Sequence, residues 1–271
     1  MKVFSLRRLS FLTDGIKYFI IKEISKELIN MTKHILIAMP CYGGQMSELT
    51  GVGLFKTAQQ LSRQDIRVSL LTVGNESMIC RARSKIFNYF YHRTDADKII
   101  FIDADIQFVP DDILKLLELD VDFCAAGVPL KSTTPTYNFG VVVDEHGNLK
   151  WNSNKTAFEV DFVGTAFMML DRRVHDVMSP CYPELRYRPD TTGRYTNAPA
   201  TTEHEVYNSF HFFQTYIDQT TGDFRSEDYA FCDRWTKLGE KIFLRPDIQL
   251  NHVGSNVFTG INLEEQFNKL K

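Results

Sequence analysis

Ile99-Ile100-Phe101-Ile102-Asp103-Ala104-Asp105 decides the reading of this chain. A run of apolar, mostly β-branched or aromatic residues ends abruptly in two acids one residue apart. The run predicts a strand buried on both faces. Burial alone has no use for carboxylates at its end. In open α/β sheets, ligands sit in the crevice beyond the carboxyl ends of the strands. Side chains at i and i+2 of extended backbone point the same way. Asp103 and Asp105 are therefore expected to turn their oxygens to one hard divalent cation, which prefers carboxylate, carbonyl and water ligands. The plainer alternative is a pair of turn or helix-capping acids.

The flanking sequence alternates strand and helix. His34–Met39 predicts a buried strand ended by Pro40, followed by a Cys41-Tyr42-Gly43-Gly44-Gln45 loop. Thr50–Arg63 has helical periodicity and Ile66–Val73 reads as a strand. Asn75 or Ser77 is expected to cap a helix running to about Tyr91. Pro110, followed by Asp111 and Asp112, marks a helix start. Phe123–Ala126 is a further strand closed by Gly127. This order predicts a parallel sheet in the first half. The second half is mixed: a hairpin about Asp144–Asn148, strands at 160–163, 166–170, 210–217 and 248–252, and a helix from Ser226 to Leu238. The 180–202 stretch, rich in Pro, Thr, Arg and Tyr, reads as a long surface loop.

The bulk composition bounds the rest. The chain has 271 residues, enough to bury a sizeable core without metal or disulfide staples. A net charge of −3 argues against a global basic field for nucleic acid. Five scattered cysteines without a C-x-x-C pair suit a reduced, cytoplasmic protein. No stretch is apolar enough to span a bilayer, and the N-terminus lacks the apolar core of a signal peptide. Residues 1–30 are expected to be an appendage, 31–260 the domain proper and 261–271 a tail. A second acid pair, Asp95-Ala96-Asp97, precedes the same strand and so reads as a solvated turn at its non-binding end.

Seven motifs recur in a characteristic order: IAMPCYGG, SMICRARSKI, FIDADIQFVPDD, AAGVPLK, DFVGTAFMML, SEDYAFCDRW and LNHVG. Together, over roughly residues 33–260, they resemble the GT-A class of metal-dependent glycosyltransferases, in particular small bacterial and phage enzymes. The resemblance implies a nucleotide-diphospho-sugar transferase (GT-A) fold, α/β, with a Rossmann-like, mostly parallel sheet. It implies transfer of a sugar from a nucleotide-diphosphate donor, by default a UDP-sugar, to an acceptor hydroxyl.

It also implies roles. Asp105, Asp103 and His252 would hold Mn²⁺ or Mg²⁺, the imidazole favouring Mn²⁺. Pro40, Cys41 and Tyr42 would line the base and ribose pocket, with Asp103, Arg83, Lys131 and Gly164 at the nucleotide sugar. Arg81 and Arg83 cannot share a helix face, so one of them is a surface residue. Asp228 would be the base of an inverting transfer and Glu227 its orienting neighbour. Both acids also suit a helix N-terminus without any catalysis. Arg186, Arg188 and Arg194 in the long loop would contact the acceptor, a glycan or a modified base in phage DNA. No membrane span is implied, and the expected assembly is a monomer or small homo-oligomer. Two alternatives stand beside this reading. A haloacid-dehalogenase-type phosphatase would carry its acid pair on the first strand, and a non-catalytic nucleotide-sugar binding module would not need Asp105, Asp228 and His252 together.

Overall fold

The structure is a computed structural model that describes residues 34–189, 205 and 208–268. Its centre is an eight-stranded sheet. In chain order the relevant strands are β1 (His34–Cys41), β2 (Arg67–Gly74), β3 (Lys98–Ile102), β4 (Ile106–Gln107), β5 (Phe123–Ala125), β6 (Phe139–Val141), β7 (Phe158–Val163) and β8 (Phe167–Asp171). They are followed by β9 (Tyr216–Ile217), β10 (Phe224–Arg225), β11 (Ile242–Leu244), β12 (Asn251–Val253) and β13 (Val257–Thr259). The sheet order is β2-β1-β3-β8-β5-β11-β7-β6. β1 pairs parallel with β2 and β3, and β5 with β11; β8 and β7 run against their neighbours. The sheet is thus mostly codirectional with a mixed second half, the α/β class expected.

The helices are α1 (Glu48–Ser62), α2 (Ile79–Arg93), α3 (Pro110–Leu117), α4 (Arg173–Cys181), α5 (Glu227–Thr236) and α6 (Leu263–Asn268). They cover both faces, and β3 shows why. All five of its residues are buried. Ile99 and Phe101 join one apolar core with Phe87 and Phe90 of α2, Met178 of α4 and Phe231 and Trp235 of α5. Ile100 and Ile102 join a second core with Leu61 of α1 and Ile113 and Leu116 of α3. Side-chain alternation along a strand sorts the two layers.

Several local expectations are refined. Ser47 caps α1 by accepting from Thr50 N at 3.1 Å. Neither Asn75 nor Ser77 caps α2; its N-cap is Met78, whose N–H donates to Glu76 Oε1 at 3.3 Å. The 210–217 strand shrinks to Tyr216–Ile217. Its aromatic run instead folds onto α2: Phe210 bridges antiparallel to Arg186 on one edge, and on the other Asn88 donates to Phe210 O at 2.8 Å and accepts from Phe210 N at 2.9 Å. Residues 263–268, taken as tail, form α6, with Leu263 buried against the first core. Residues 1–33 lie outside the described residues. No described helix is long and apolar enough to cross a membrane.

Candidate active site

β1 and β3 end side by side and deliver Pro40, Cys41 and Asp103 to one edge of the sheet. Tyr42 opens a short turn, Tyr42–Gly44, in which Gly43 and Gly44 have φ of 73° and 69°. This left-handed backbone suits glycine. The Tyr42 ring is 76% exposed, while the Cys41 thiol is buried. Burial, and then the nearby Asp103 carboxylate, push that thiol above its ordinary pKa.

The acid pair does not point as expected. β3 stops at Ile102, and Ile106 N donates to Asp103 O at 3.2 Å, closing a turn over residues 103–106. The i, i+2 rule of extended backbone therefore lapses, and the two carboxylates diverge. Asp103 accepts from Arg83 Nη2 at 3.1 and 3.2 Å through both its oxygens. Asp105 faces His252 Nε2 at 3.3 Å and Lys131 Nζ at 2.6 Å, all through Oδ2. Among the described residues no three His, Cys, Asp or Glu side chains converge to hold a metal ion. Of the three residues expected to hold a metal, Asp105 and His252 meet, while Asp103 turns to Arg83.

A small second sheet accounts for the meeting of Asp105 and His252 across 147 positions. β12 pairs antiparallel with β4, setting His252 opposite Ile106, and Val253 N donates to Asp105 O at 2.8 Å. The other ring nitrogen, Nδ1, lies 2.9 Å from the Pro129 carbonyl. Burial would lower the imidazole pKa, but the Asp105 carboxylate and the Pro129 carbonyl raise it. Burial would likewise raise Asp105, but His252 and Lys131 pull it down to about 2.

Arg83 organises the other half of the site. Its side chain is only 5% exposed. Besides Asp103 it donates from Nη1 to Glu227 Oε1 at 2.5 Å. Burial disfavours the guanidinium charge, but the Asp103, Glu227 and Asp228 carboxylates outweigh this and raise its pKa. Arg81, two residues earlier, instead pairs with Glu76 at 2.6 Å on the outer face, as the helix geometry requires.

Glu227 and Asp228 open α5, with Ser226 as N-cap. Ser226 does not cap with its side chain; its hydroxyl donates to Asp228 Oδ1. Gly164 borders the same acid, since a Cβ there would sit 3.8 Å from Asp228 Oδ2. Tyr229 donates to Asn138 Oδ1, and Gly164 N to Asn138 O at 3.3 Å. The sequence marks Ser226 only as the cap of this helix and does not mark Asn138. The S-E-D spacing held a usable signal for Ser226; nothing local marked Asn138. Arg234 and Trp235 are structural. Arg234 donates to Phe212 O at 2.7 Å and Trp235 Nε1 to Lys241 O at 3.0 Å.

Of the long loop, Arg186 and Arg188 are exposed. The Arg186 guanidinium lies 5.5 Å from the Phe210 ring centroid. Arg194 lies outside the described residues.

No family model matches the chain, and no curated protein matches it. Among solved structures it is similar to A197 from STIV, at 13% identity over 82% of this chain and 86% of that one, with a TM-score of 0.44. It is also similar to 4-diphosphocytidyl-2C-methyl-D-erythritol synthase from Anaerococcus prevotii, at 10% identity over 65% and 96% of the two chains, TM-score 0.33. A putative glucose-1-phosphate thymidylyltransferase from Bacillus anthracis matches at 9% identity over 53% and 74%, TM-score 0.30. At these TM-scores the likenesses carry no argument, and the fold class rests on the sheet topology above.

Proposed function

We propose that this protein is a GT-A-type glycosyltransferase that moves a sugar from a nucleotide-diphosphate sugar to an acceptor hydroxyl. The observation that carries the reading is convergence. Asp103, Arg83, Glu227 and Asp228 cluster beside the end of β3, and Asp105, His252 and Lys131 cluster one turn further on. Motifs scattered along the chain thus meet in two adjoining clusters at one sheet edge, where open α/β sheets bind ligands.

Asp105 and His252 are a fitting donor set for Mn²⁺ or Mg²⁺, because such ions use one or two protein ligands and take the rest from substrate phosphates and water. When bound, the ion would act as a Lewis acid on the leaving diphosphate. The chain's own residues supply the remaining requirements. Pro40, Cys41 and Tyr42 face the nucleoside, the exposed Tyr42 ring offering a stacking surface. Asp103, clamped by Arg83, orients the donor ribose. Asp228 accepts the acceptor's hydroxyl proton at Oδ2, since Oδ1 already accepts from Ser226. Glu227, held by Arg83, fixes the start of α5 and with it Asp228. Gly164 leaves room beside Oδ2.

The test is release of nucleoside diphosphate from a panel of nucleotide sugars with Mn²⁺, in the presence of sugar acceptors and of hydroxymethylated DNA. Wild type should turn over one donor, and Asp228→Asn should bind that donor unchanged but transfer at least 100-fold more slowly, roughly the size of a general-base contribution. Full transfer by Asp228→Asn would contradict the assignment. Product anomer analysis by NMR reads the stereochemistry, for which inversion is expected.

A further inference from the structure

Lys131 and His252 address the same oxygen. Lys131 Nζ lies 2.6 Å and His252 Nε2 3.3 Å from Asp105 Oδ2. The Pro129 carbonyl, 2.9 Å from His252 Nδ1, can only accept, so Nδ1 carries the proton. The other ring nitrogen, Nε2, is the one turned to the carboxylate oxygen. The Lys131 ammonium thus lies on the carboxylate oxygen that the imidazole also addresses. Its stem runs across Gly254, where a Cβ would come within 3.3 Å of Lys131 Cδ and 3.5 Å of Cε. The G-x-P-x-K and H-x-G motifs thus build one device: Pro129 holds the imidazole, Gly254 admits the lysine, and Lys131 neutralises Asp105. The lysine belongs to an exposed turn in which Leu130 N donates to Thr136 O at 2.7 Å. Its side chain is 42% exposed, free to swing without disturbing the core.

We propose that Lys131 is an exchangeable counter-cation. Without donor its ammonium sits on Asp105. Asp105 and His252 would hold a divalent ion in the ammonium's place, and the released Lys131 ammonium would pair with a diphosphate oxygen of the donor. The same charge guards the empty site and then serves the leaving group. This proposal rests on the donor-site reading above.

The test is Mn²⁺ binding to the full chain, followed by EPR, for wild type, Lys131→Met, Lys131→Arg and Asp105→Asn, with melting temperature as the folding control. Calorimetric titration with Mn²⁺-pyrophosphate then probes the diphosphate without depending on the nucleoside. Lys131→Met should bind Mn²⁺ alone roughly fivefold more tightly, the size of one partly exposed ion pair. It should bind Mn²⁺-pyrophosphate about tenfold more weakly, the size of one charge-assisted contact. Lys131→Arg should resemble wild type, and Asp105→Asn should lose Mn²⁺. Unchanged or weaker Mn²⁺ binding by Lys131→Met, with Asp105→Asn still losing the ion, overturns the exchange and leaves the donor site standing. Absence of Mn²⁺ binding in both wild type and Lys131→Met overturns both.

Discussion

Replacing Arg83 by Met removes the one buried guanidinium that links the strand-end acid to the helix-start acid. The side chain is 5% exposed, and its partners Asp103 and Glu227 are 29% and 18% exposed. Breaking a buried ion pair by deleting one partner costs about 3–5 kcal/mol, because the remaining charge stays desolvated and uncompensated. Here two carboxylates lose the same partner, so the loss belongs at the upper end of that range. For a domain of this size each kcal/mol corresponds to roughly 2–4 °C in melting temperature. Urea unfolding, followed through the fluorescence of buried Trp235, reads the loss directly. Arg83→Lys should recover only part of it, since one ammonium cannot span both acids as the planar fork does. Adding Asp103→Asn and Glu227→Gln to Arg83→Met should restore about half or more, because the uncompensated charges are gone. A loss under about 1 kcal/mol for Arg83→Met, or no recovery on neutralising both acids, would refute the reasoning.

Three further outcomes follow from the packing. Glu76, whose burial would raise its pKa, is instead drawn to about 2 by Arg81 and Lys85. Its contribution is therefore present above the unfolded value and lost as pH falls from about 4.5 toward 2, and Glu76→Gln should cost about 1–2 kcal/mol at pH 7 by urea unfolding and almost nothing at pH 2. Asp112 behaves oppositely: burial pushes it up to about 6 although Val109 N donates to it at 2.9 Å. The protonated form suits the fold, so stability is lost as pH rises through about 6, and Asp112→Asn, which keeps the acceptor, should raise the melting temperature at pH 7.5 with a gain that fades toward pH 4. Within α1, a Cβ on Gly51 meets only Met46 Sδ at 3.9 Å, whereas one on Gly53 meets Phe108 O at 2.9 Å. Gly51→Ala should stabilise by up to about 1 kcal/mol and Gly53→Ala should destabilise by about 1–3 kcal/mol in the same assay.

The sheet and its two cores were legible because β3 is apolar from Ile99 to Ile102 and its alternation alone assigns Ile99 and Phe101 to one face and Ile100 and Ile102 to the other. The candidate site stands out in the sequence for a related reason: acids at the carboxyl end of a buried strand have no role in packing. The orientation of those acids was not. Whether Asp103 and Asp105 share a cation depends on where the strand stops, and a turn closed by Ile106 N onto Asp103 O is invisible in the residue pattern. The 210–217 segment failed for a similar reason, because its aromatic run fits a buried strand as well as a fold-back against α2. The side chain of Asn88, 122 positions away, and an antiparallel bridge from Arg186 to Phe210 hold the fold-back. Ser226 satisfied every signal for a helix cap, yet its hydroxyl turns to Asp228, a partner that a capping rule does not consider. Local chemistry thus marked the candidate residues, and long-range pairing of β12 with β4 brings His252 to Asp105.

The central claim is a metal-assisted donor site at the end of β3, and thermal shift addresses it most directly. The protein would be melted with UDP, GDP, CDP and dTDP, each with Mn²⁺ and with EDTA, alongside Asp105→Ala. A ligand that binds only the native state raises the melting temperature. The account predicts stabilisation by one diphosphate, dependent on Mn²⁺ and absent in Asp105→Ala. No shift with any nucleotide, or a shift that survives both EDTA and the loss of Asp105, would contradict it.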